Sequence, residues 1–186
     1  AAVKKDHKRI DYLIQEFAAF INGDLSRKRV DEVDPNQPST INHQPYLLIV
    51  GSRQNDTDEL VAMARDLAGD RIKILADVPR EHMPDLYRTM DVFLLSSLFE
   101  MMPIAILEAL ASGLPVIVND HPVLSWMVGV DVSADLNHPS TINHQPSRPG
   151  GAVIDMSADG ELAKFLSGLT PDWIAEHGIA ARERAA

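Results

Sequence analysis

Short apolar runs alternate with amphipathic segments along this chain of 186 residues. A continuous apolar run that stops at a turn residue, such as residues 46–50 before Gly51, is typical of a strand covered on both faces. Apolar side chains at helical spacing, as in residues 8–21, predict amphipathic helices. The alternation predicts an α/β fold, a Rossmann-like doubly wound parallel sheet of about six strands with right-handed crossovers.

The same patterns predict the position of each element. The predicted strands are residues 1–3, 46–50, 71–75, 92–96, 115–118 and 152–154. The predicted helices are residues 8–21, 56–67, 84–90, 103–112, 159–166 and a last helix that Thr170 caps. We expect Asn22-Gly23 to end the first helix, and Asp56 with Glu59 to form a capping box on the second. Ligands on such sheets bind beyond the carboxyl ends of the strands, so the loops after the strands are the first candidates for a site.

Two polar loops, residues 22–45 and 129–151, carry the same octapeptide, PSTINHQP, at positions 38–45 and 139–146. Two copies are too few for a repeat architecture. We interpret them as a loop duplication without chemistry, exposed at the end of the sheet opposite the ligand. The alternative, a His/Asn binding element, lacks the carboxylates or cysteines that a metal site prefers.

Composition excludes several classes of function. The absence of cysteine rules out a disulfide framework, a thiolate nucleophile and Cys-based metal sites, and no histidine pair has metal-ligand spacing. A net charge of −10 argues against nucleic acid as a partner. The most apolar stretch, residues 101–118, contains Glu108 and two prolines, so no transmembrane segment is predicted. No secretory signal opens the chain, and the expected location is the cytoplasm.

Glu108 is the single charged residue of predicted helix 103–112. A carboxylate among apolar side chains is costly unless it is paired or solvated. It therefore either meets solvent at an edge of the fold or accepts hydrogen bonds from a ligand, and the helix alone leaves both interpretations open. A second acid, Glu100, precedes it by eight residues, in the loop after predicted strand 92–96.

The region from Met90 to Ile117 resembles the signature of retaining GT-B glycosyltransferases, specifically glycosyltransferase family four, the glycosyl transferases group 1. The spacing of Glu100 and Glu108 matches the family, and so do the flanking stretches MDVFLLSSLFE and EALASGLPVI. The resemblance extends from about Lys4 to the C-terminus and implies the C-terminal, donor-binding half of a two-domain enzyme. It implies transfer of a hexosyl group from a nucleoside diphosphate sugar to an acceptor hydroxyl, without an essential metal or other cofactor.

The resemblance also implies roles for individual residues. Glu108 would bind the ribose hydroxyls, because a carboxylate accepts from two adjacent hydroxyls at once. Glu100 would lie near the transferred sugar. The backbone N–H groups of Ile104 and Ala105, at the start of a helix, would meet the diphosphate. Val78, after predicted strand 71–75, is the expected contact for the nucleobase.

Positive charge is expected just after the first predicted strand. Lys8 matches the family lysine that neutralises the diphosphate. The arginine of the family pattern, five or six residues earlier, would coincide with Ala2 or Val3, so Arg9 or Lys5 is the expected substitute.

The loop after Glu100 departs from the family. Its usual glycines are replaced by Met101, Met102 and Pro103; methionine disfavours positive φ and proline has no N–H to donate. This departure and the missing arginine keep open a non-catalytic nucleotide-sugar-binding module. Half of a nucleotide-sugar epimerase is a second alternative, because fold alone does not separate it from a transferase. On the transferase interpretation, a sugar or lipid-linked acceptor binds to an N-terminal domain that this chain lacks. The chain alone is then expected to be inactive, and the full-length protein to be cytoplasmic or peripheral to the membrane.

Overall fold

A computed structural model describes residues 5–27, 44–130 and 149–186. Its strands are β1 (Leu47–Gly51), β2 (Ile72–Ala76), β3 (Phe93–Leu95), β4 (Val116–Asn119) and β5 (Gly151–Ile154). Its α-helices are α1 (Lys5–Lys8), α2 (Ile10–Arg27), α3 (Thr57–Ala68), α4 (Met83–Arg88), α5 (Ile104–Ala111), α6 (Pro122–Val128), α7 (Glu161–Ser167) and α8 (Pro171–Ala185). No helix within these ranges has the length and apolar character needed to cross a bilayer.

The strands are parallel, as the alternation of strand and helix predicts. β1 pairs with β2, and a second sheet has the order β3-β4-β5. The fold class is therefore confirmed, although the described residues form sheets of two and three strands instead of one sheet of about six. The predicted first strand, residues 1–3, lies outside the described residues. Because the strands within a sheet are parallel, their carboxyl ends share one edge, where the candidate site residues follow them.

Helices cover both faces of the three-stranded sheet. All four residues of β4 are buried. Val116 and Val118 pack with Ile106 of α5 on one face, and Ile117 packs with Leu162 of α7 on the other. Successive side chains of a strand point to opposite faces, so this division confirms the doubly wound arrangement.

Helix α2 differs from the prediction at both ends. It begins at Ile10 because Arg9 has a left-handed backbone conformation, with φ of 50°, and separates it from α1. It continues to Arg27, so the expected stop at Asn22-Gly23 is wrong, and with it the loop prediction for residues 22–27. The glycines that follow α3 and α6, Gly69 and Gly129, have positive φ, and Gly23 does not. A single glycine inside a helix costs only about 1 kcal/mol, which the burial of the apolar face of α2 exceeds.

The helix caps were partly predictable. The Thr170 hydroxyl accepts the Trp173 N–H at 3.2 Å, which confirms the cap on α8. The Asp56 carboxylate accepts no such bond, so its half of the expected capping box is wrong. Instead the Thr57 hydroxyl accepts the N–H of Gln54 at 2.8 Å and turns the chain into α3.

Helix α6 was not predicted, although its ends carry ordinary signals. Pro122 stands at its first position, and Gly129 follows it with φ of 85°. Proline at the start and a left-handed glycine behind the end are typical of helix boundaries. The run is short and strongly apolar, which hides the helical period.

The repeated octapeptide lies almost entirely beyond the part of the chain that the structure describes. Of the first copy only Gln44 and Pro45 are described, and of the second copy none. The Pro45 carbonyl accepts a hydrogen bond from Arg71 at 3.0 Å, just before β1. The expected location and chemical inertness of both copies stay predictions.

Gly151 sets the approach of β5 to β4. It pairs with Val116, and a Cβ added at Gly151 would lie 1.7 Å from the Val116 carbonyl oxygen. No flexible side chain can move to relieve this overlap, since the atom it meets is backbone.

We therefore predict that Gly151→Ala lowers the free energy of unfolding by about 3 kcal/mol, the upper range for overpacking. Denaturant unfolding measures it. Gly168→Ala is the matched control, because an added Cβ there has a nearest contact of 3.5 Å. Its expected effect is below about 0.5 kcal/mol. Equal stability of the two variants would show that β5 is free to move away from β4.

Candidate functional site

Lys8 and Glu100 meet at the carboxyl end of β3, although 92 positions separate them in the sequence. Their side chains form an ion pair in which Lys8 donates to Glu100, and they are only 14% and 13% exposed. The junction of α1 and α2 is fastened there by the buried Ser96, whose hydroxyl donates to the Lys8 carbonyl at 2.7 Å. A second hydrogen bond holds the same segment, from the Leu98 N–H to the His7 carbonyl at 2.9 Å. The two predicted catalytic residues are therefore in direct contact.

Glu108 lies on α5, half-buried, with a partner on each carboxylate oxygen. The Tyr87 hydroxyl donates to Oε2 at 3.1 Å. Arg80 Nη2 lies 3.7 Å from Oε1, at the end of a side chain that is 85% exposed. Burial, and then the hydrogen bond to the Glu108 carboxylate, raise the pKa of Tyr87 far above its ordinary value, so its hydroxyl remains a donor near neutral pH.

The start of α5 is open to solvent and has no side-chain cap. Pro103 precedes the helix, and its carbonyl accepts the N–H of Ile106 at 3.0 Å. The N–H groups of Ile104 and Ala105 stand ahead of the first carbonyl that an α-helix can use. Ile104 is 60% exposed, which leaves this end of the helix accessible. Glu108 follows one turn later, about 6 Å along the axis.

The start of α7 provides a contrast within the same chain. There the carboxylate of the buried Glu16 accepts the N–H groups of Gly160 at 2.6 Å and Ala163 at 2.9 Å. An internal anion therefore already occupies the N-terminus of α7. Among the described residues no carboxylate takes that place at α5, so the N–H groups at its start are suited to an external anion.

Val78 lies in the loop after β2, a strand of the two-stranded sheet. Asp77 has a left-handed backbone with φ of 56°, and its carboxylate accepts the Arg53 N–H at 3.0 Å. Val78 follows and is half-buried. Arg80, two residues further, reaches Glu108, so this loop and α5 are neighbours.

Arg9 is held away from the two carboxylates. Its guanidinium donates to the Met156 carbonyl and lies over the Tyr12 ring, 4.1 Å from the ring centroid. Met156 follows β5, and Tyr12 is on α2. Arg9 therefore is not in contact with Glu100 or Glu108 in this structure, and its role in ligand binding stays a prediction, as does that of Lys5, whose side chain is not described.

Two residues that the sequence interpretation did not single out join the site, Tyr87 and Arg80. Tyr87 occurs in a short helix without any local feature that points to Glu108. Arg80 is one of several exposed charges between β2 and α4. Only packing in three dimensions brings them to the carboxylate, so no sequence pattern could have identified them.

The edge beside the site is unusually apolar. Its exposed side chains are Leu98, Phe99, Met101, Met102, Ile104 and Leu107, with exposed fractions between 39% and 81%. Within the described ranges, no group of three or more histidines or acids is arranged to hold a metal ion. The site is therefore a strip of polar groups, with Lys8, Glu100, the start of α5 and Glu108, next to a patch of exposed apolar side chains.

Known proteins resemble this chain in sequence. The family model for glycosyl transferases group 1 matches residues 1–134. A GDP-Man:Man(3)GlcNAc(2)-PP-Dol alpha-1,2-mannosyltransferase from Yarrowia lipolytica is 31% identical over 122 residues, which are 62% of this chain and 18% of that protein.

Solved structures resemble the chain in fold. A glycosyltransferase from Rickettsia africae superposes with a TM-score of 0.66 at 17% identity, over 100% of this chain and 41% of that one. A mutant of TarM from S. aureus, in complex with fondaparinux, alpha-GlcNAc-glycerol and UDP, has a TM-score of 0.65 at 18% identity, over 99% of this chain and 30% of that one. The chain thus spans less than half the length of these proteins.

The largely buried ion pair leads to a test of stability. Removal of one member of a fully buried pair costs about 3–5 kcal/mol, because the other charge is left without a partner. We predict that Lys8→Gln lowers the free energy of unfolding by about 2 kcal/mol, since the pair retains some contact with water. Denaturant unfolding checks it.

Lys164→Gln is the control, because Lys164 is 78% exposed and lies 3.7 Å from Glu161. Exposed pairs contribute about 0–1 kcal/mol. If Lys8→Gln lowers the free energy of unfolding no more than Lys164→Gln does, the contact between Lys8 and Glu100 does not stabilise the fold.

Proposed function

Because the chain belongs to the glycosyl transferases group 1 family, we propose that it is the donor-binding half of a retaining glycosyltransferase. Its partner molecules are then a nucleoside diphosphate sugar and an acceptor hydroxyl. The observation that carries the proposal is the position of Glu108, a half-buried carboxylate one turn behind the open start of α5. The family match also favours the transferase over the epimerase that the sequence left open.

The spacing of the site groups suits a nucleoside diphosphate. Ribose hydroxyls and the first phosphate of a nucleotide lie within several ångströms of each other, comparable to one turn of a helix. In our proposal Glu108 accepts the ribose hydroxyls, while the N–H groups of Ile104 and Ala105 donate to phosphate oxygens. Val78, on the loop that Arg80 links to Glu108, contacts the nucleobase.

Lys8 and Glu100 act at the sugar end of the donor in this proposal. The bond between the anomeric carbon and the diphosphate oxygen breaks, and the diphosphate gains negative charge. Lys8 and the start of α5 stabilise that charge, which is electrostatic catalysis by groups already in place. The acceptor oxygen bonds to the anomeric carbon on the face from which the diphosphate departs. The proton of the acceptor hydroxyl passes to the leaving phosphate. Glu100 then holds Lys8 in position and lies beside the transferred hexosyl group.

Two relatives support a nucleotide-sugar donor. The Yarrowia lipolytica protein is named for transfer of mannose from GDP-Man, and the TarM structure contains UDP. These names describe those proteins. For this chain the base, the sugar and the acceptor are properties to be measured, beginning with a thermal-shift panel of UDP, GDP and ADP.

The first prediction from this proposal concerns Glu108. Replacing it with Ala should weaken binding of the best nucleoside diphosphate by about 1–3 kcal/mol, the scale of a lost hydrogen bond to a charged group. Isothermal titration calorimetry measures the change. Glu161→Ala is the control, an exposed acid on α7 whose start lies on the other side of the sheet. Unchanged affinity of the Glu108→Ala variant would remove the ribose assignment.

The second prediction concerns turnover. Glycosyl transfer requires the acceptor hydroxyl to be held at the anomeric carbon with water excluded. Here the site is an open edge beside exposed apolar side chains, and the chain spans 41% of the Rickettsia africae glycosyltransferase. We therefore expect the 186-residue chain to bind a nucleoside diphosphate without transferring sugar.

The experiment incubates the chain with the sugar form of the best nucleotide and with sugar and lipid acceptors. Mass spectrometry then measures glycosylated product. Multiple turnover by this chain alone would contradict the proposal that a second domain completes the site.

A further inference from the structure

The carboxylate of Glu108 is constrained from one side only. Its Oε2 accepts the Tyr87 hydroxyl at 3.1 Å from within the protein. Its Oε1 faces outwards, 3.7 Å from the exposed Arg80. A carboxylate oxygen that accepts one hydrogen bond can accept another, so each oxygen of Glu108 has acceptor capacity left for a ligand hydroxyl.

Tyr87 is a rigid donor. Its side chain is 6% exposed and packs in the same apolar cluster as Ile106 and Leu110 of α5. Its ring also contacts that of Phe93, with centroids 6.1 Å apart. The ring is fixed by packing, so the hydroxyl is directed at Oε2 without a further loss of side-chain freedom.

Arg80, unlike Tyr87, is a partner of Glu108 that a ligand can replace. Its side chain is 85% exposed and the distance of 3.7 Å is that of an ion pair in water. Such pairs contribute about 0–1 kcal/mol and exchange readily with solvent. A ligand hydroxyl that donates to Oε1 would thus displace a weak contact, while the bond from Tyr87 to Oε2 persists.

We propose that Tyr87 is a positioning residue, which holds the Glu108 carboxylate in the plane that accepts two adjacent ribose hydroxyls. The inference rests on the proposed function, because it requires Glu108 to bind ribose. Two hydroxyls of one ring have a fixed separation and direction, so a carboxylate that rotates freely satisfies both only part of the time. Tyr87 removes that rotation before the ligand arrives, which is preorganisation of the site.

The test compares Tyr87→Phe, Glu108→Ala and the double variant in the 186-residue chain. The ligands are the tightest binder among UDP, GDP and ADP, and its 2′-deoxy counterpart, which lacks one hydroxyl. Calorimetry measures both affinities, and circular dichroism with thermal unfolding checks the fold of each variant. Tyr12→Phe is the matched control, since Tyr12 is 2% exposed and its hydroxyl donates to the Ala158 carbonyl at 3.2 Å.

We expect Tyr87→Phe to weaken the ribonucleotide about three- to tenfold, the effect of one lost hydrogen bond. The 2′-deoxy ligand should lose much less, so the preference for the ribonucleotide shrinks. In the Glu108→Ala background the same change should have no further effect, since the residue through which Tyr87 acts is gone. Tyr12→Phe should leave the preference unchanged.

Each other outcome overturns the proposal in a recognisable way. An equal loss for both ligands, or the same loss in the Glu108→Ala background, assigns Tyr87 a purely structural role. If Glu108→Ala weakens binding but Tyr87→Phe does not, positioning by Tyr87 is wrong and the ribose assignment stands. If Glu108→Ala keeps full affinity, the ribose assignment itself is wrong, and the role of Tyr87 is excluded with it.

Discussion

The burial of β4 between two helix layers is the constraint on which the rest of the structure depends. Its residues pack on both faces, and it is hydrogen-bonded to β3 on one side and β5 on the other. A strand held in four directions cannot shift without opening a densely packed interior. β3 is therefore fixed as well, and Ser96 at its end fastens the backbone of Lys8. The candidate site is built on the rigid edge of a sheet.

Local partners, and not net charge, determine the electrostatic environment of the candidate site in this acidic chain. The overall charge of −10 repels phosphate. At the edge of the sheet, however, Glu100 is paired with Lys8, and Glu108 lies beside Arg80. The open start of α5 adds partial positive charge between them. At α7 the partial positive charge of the helix start is already neutralised by the carboxylate of Glu16.

Much of the fold could be predicted because it depends on local patterns. Apolar runs locate the five described strands to within one residue, and periodic apolar side chains locate the long helices but not the end of α2. The errors arise where the backbone conformation of one residue decides where a helix begins or ends. Arg9 has a positive φ and interrupts a helical pattern, whereas Gly23 has none and the helix continues through it. For the site, Glu108 could be recognised as a lone charge in an apolar helix. Tyr87 could not, because it reaches that charge only through tertiary packing.

The loop between Glu100 and α5 departs from the family pattern, because methionine and proline stand where the family has glycine. Met101 and Met102 take no positive φ, so the loop has no need of glycine. Pro103 precedes the helix, where its missing N–H removes only one of several free donors. The N–H groups of Ile104 and Ala105 remain. The two methionines add apolar surface, since Met101 is 81% exposed and Met102 is 60% exposed. In the function proposed above, Lys8 and these two helix donors take the place of a glycine-rich loop in binding the diphosphate.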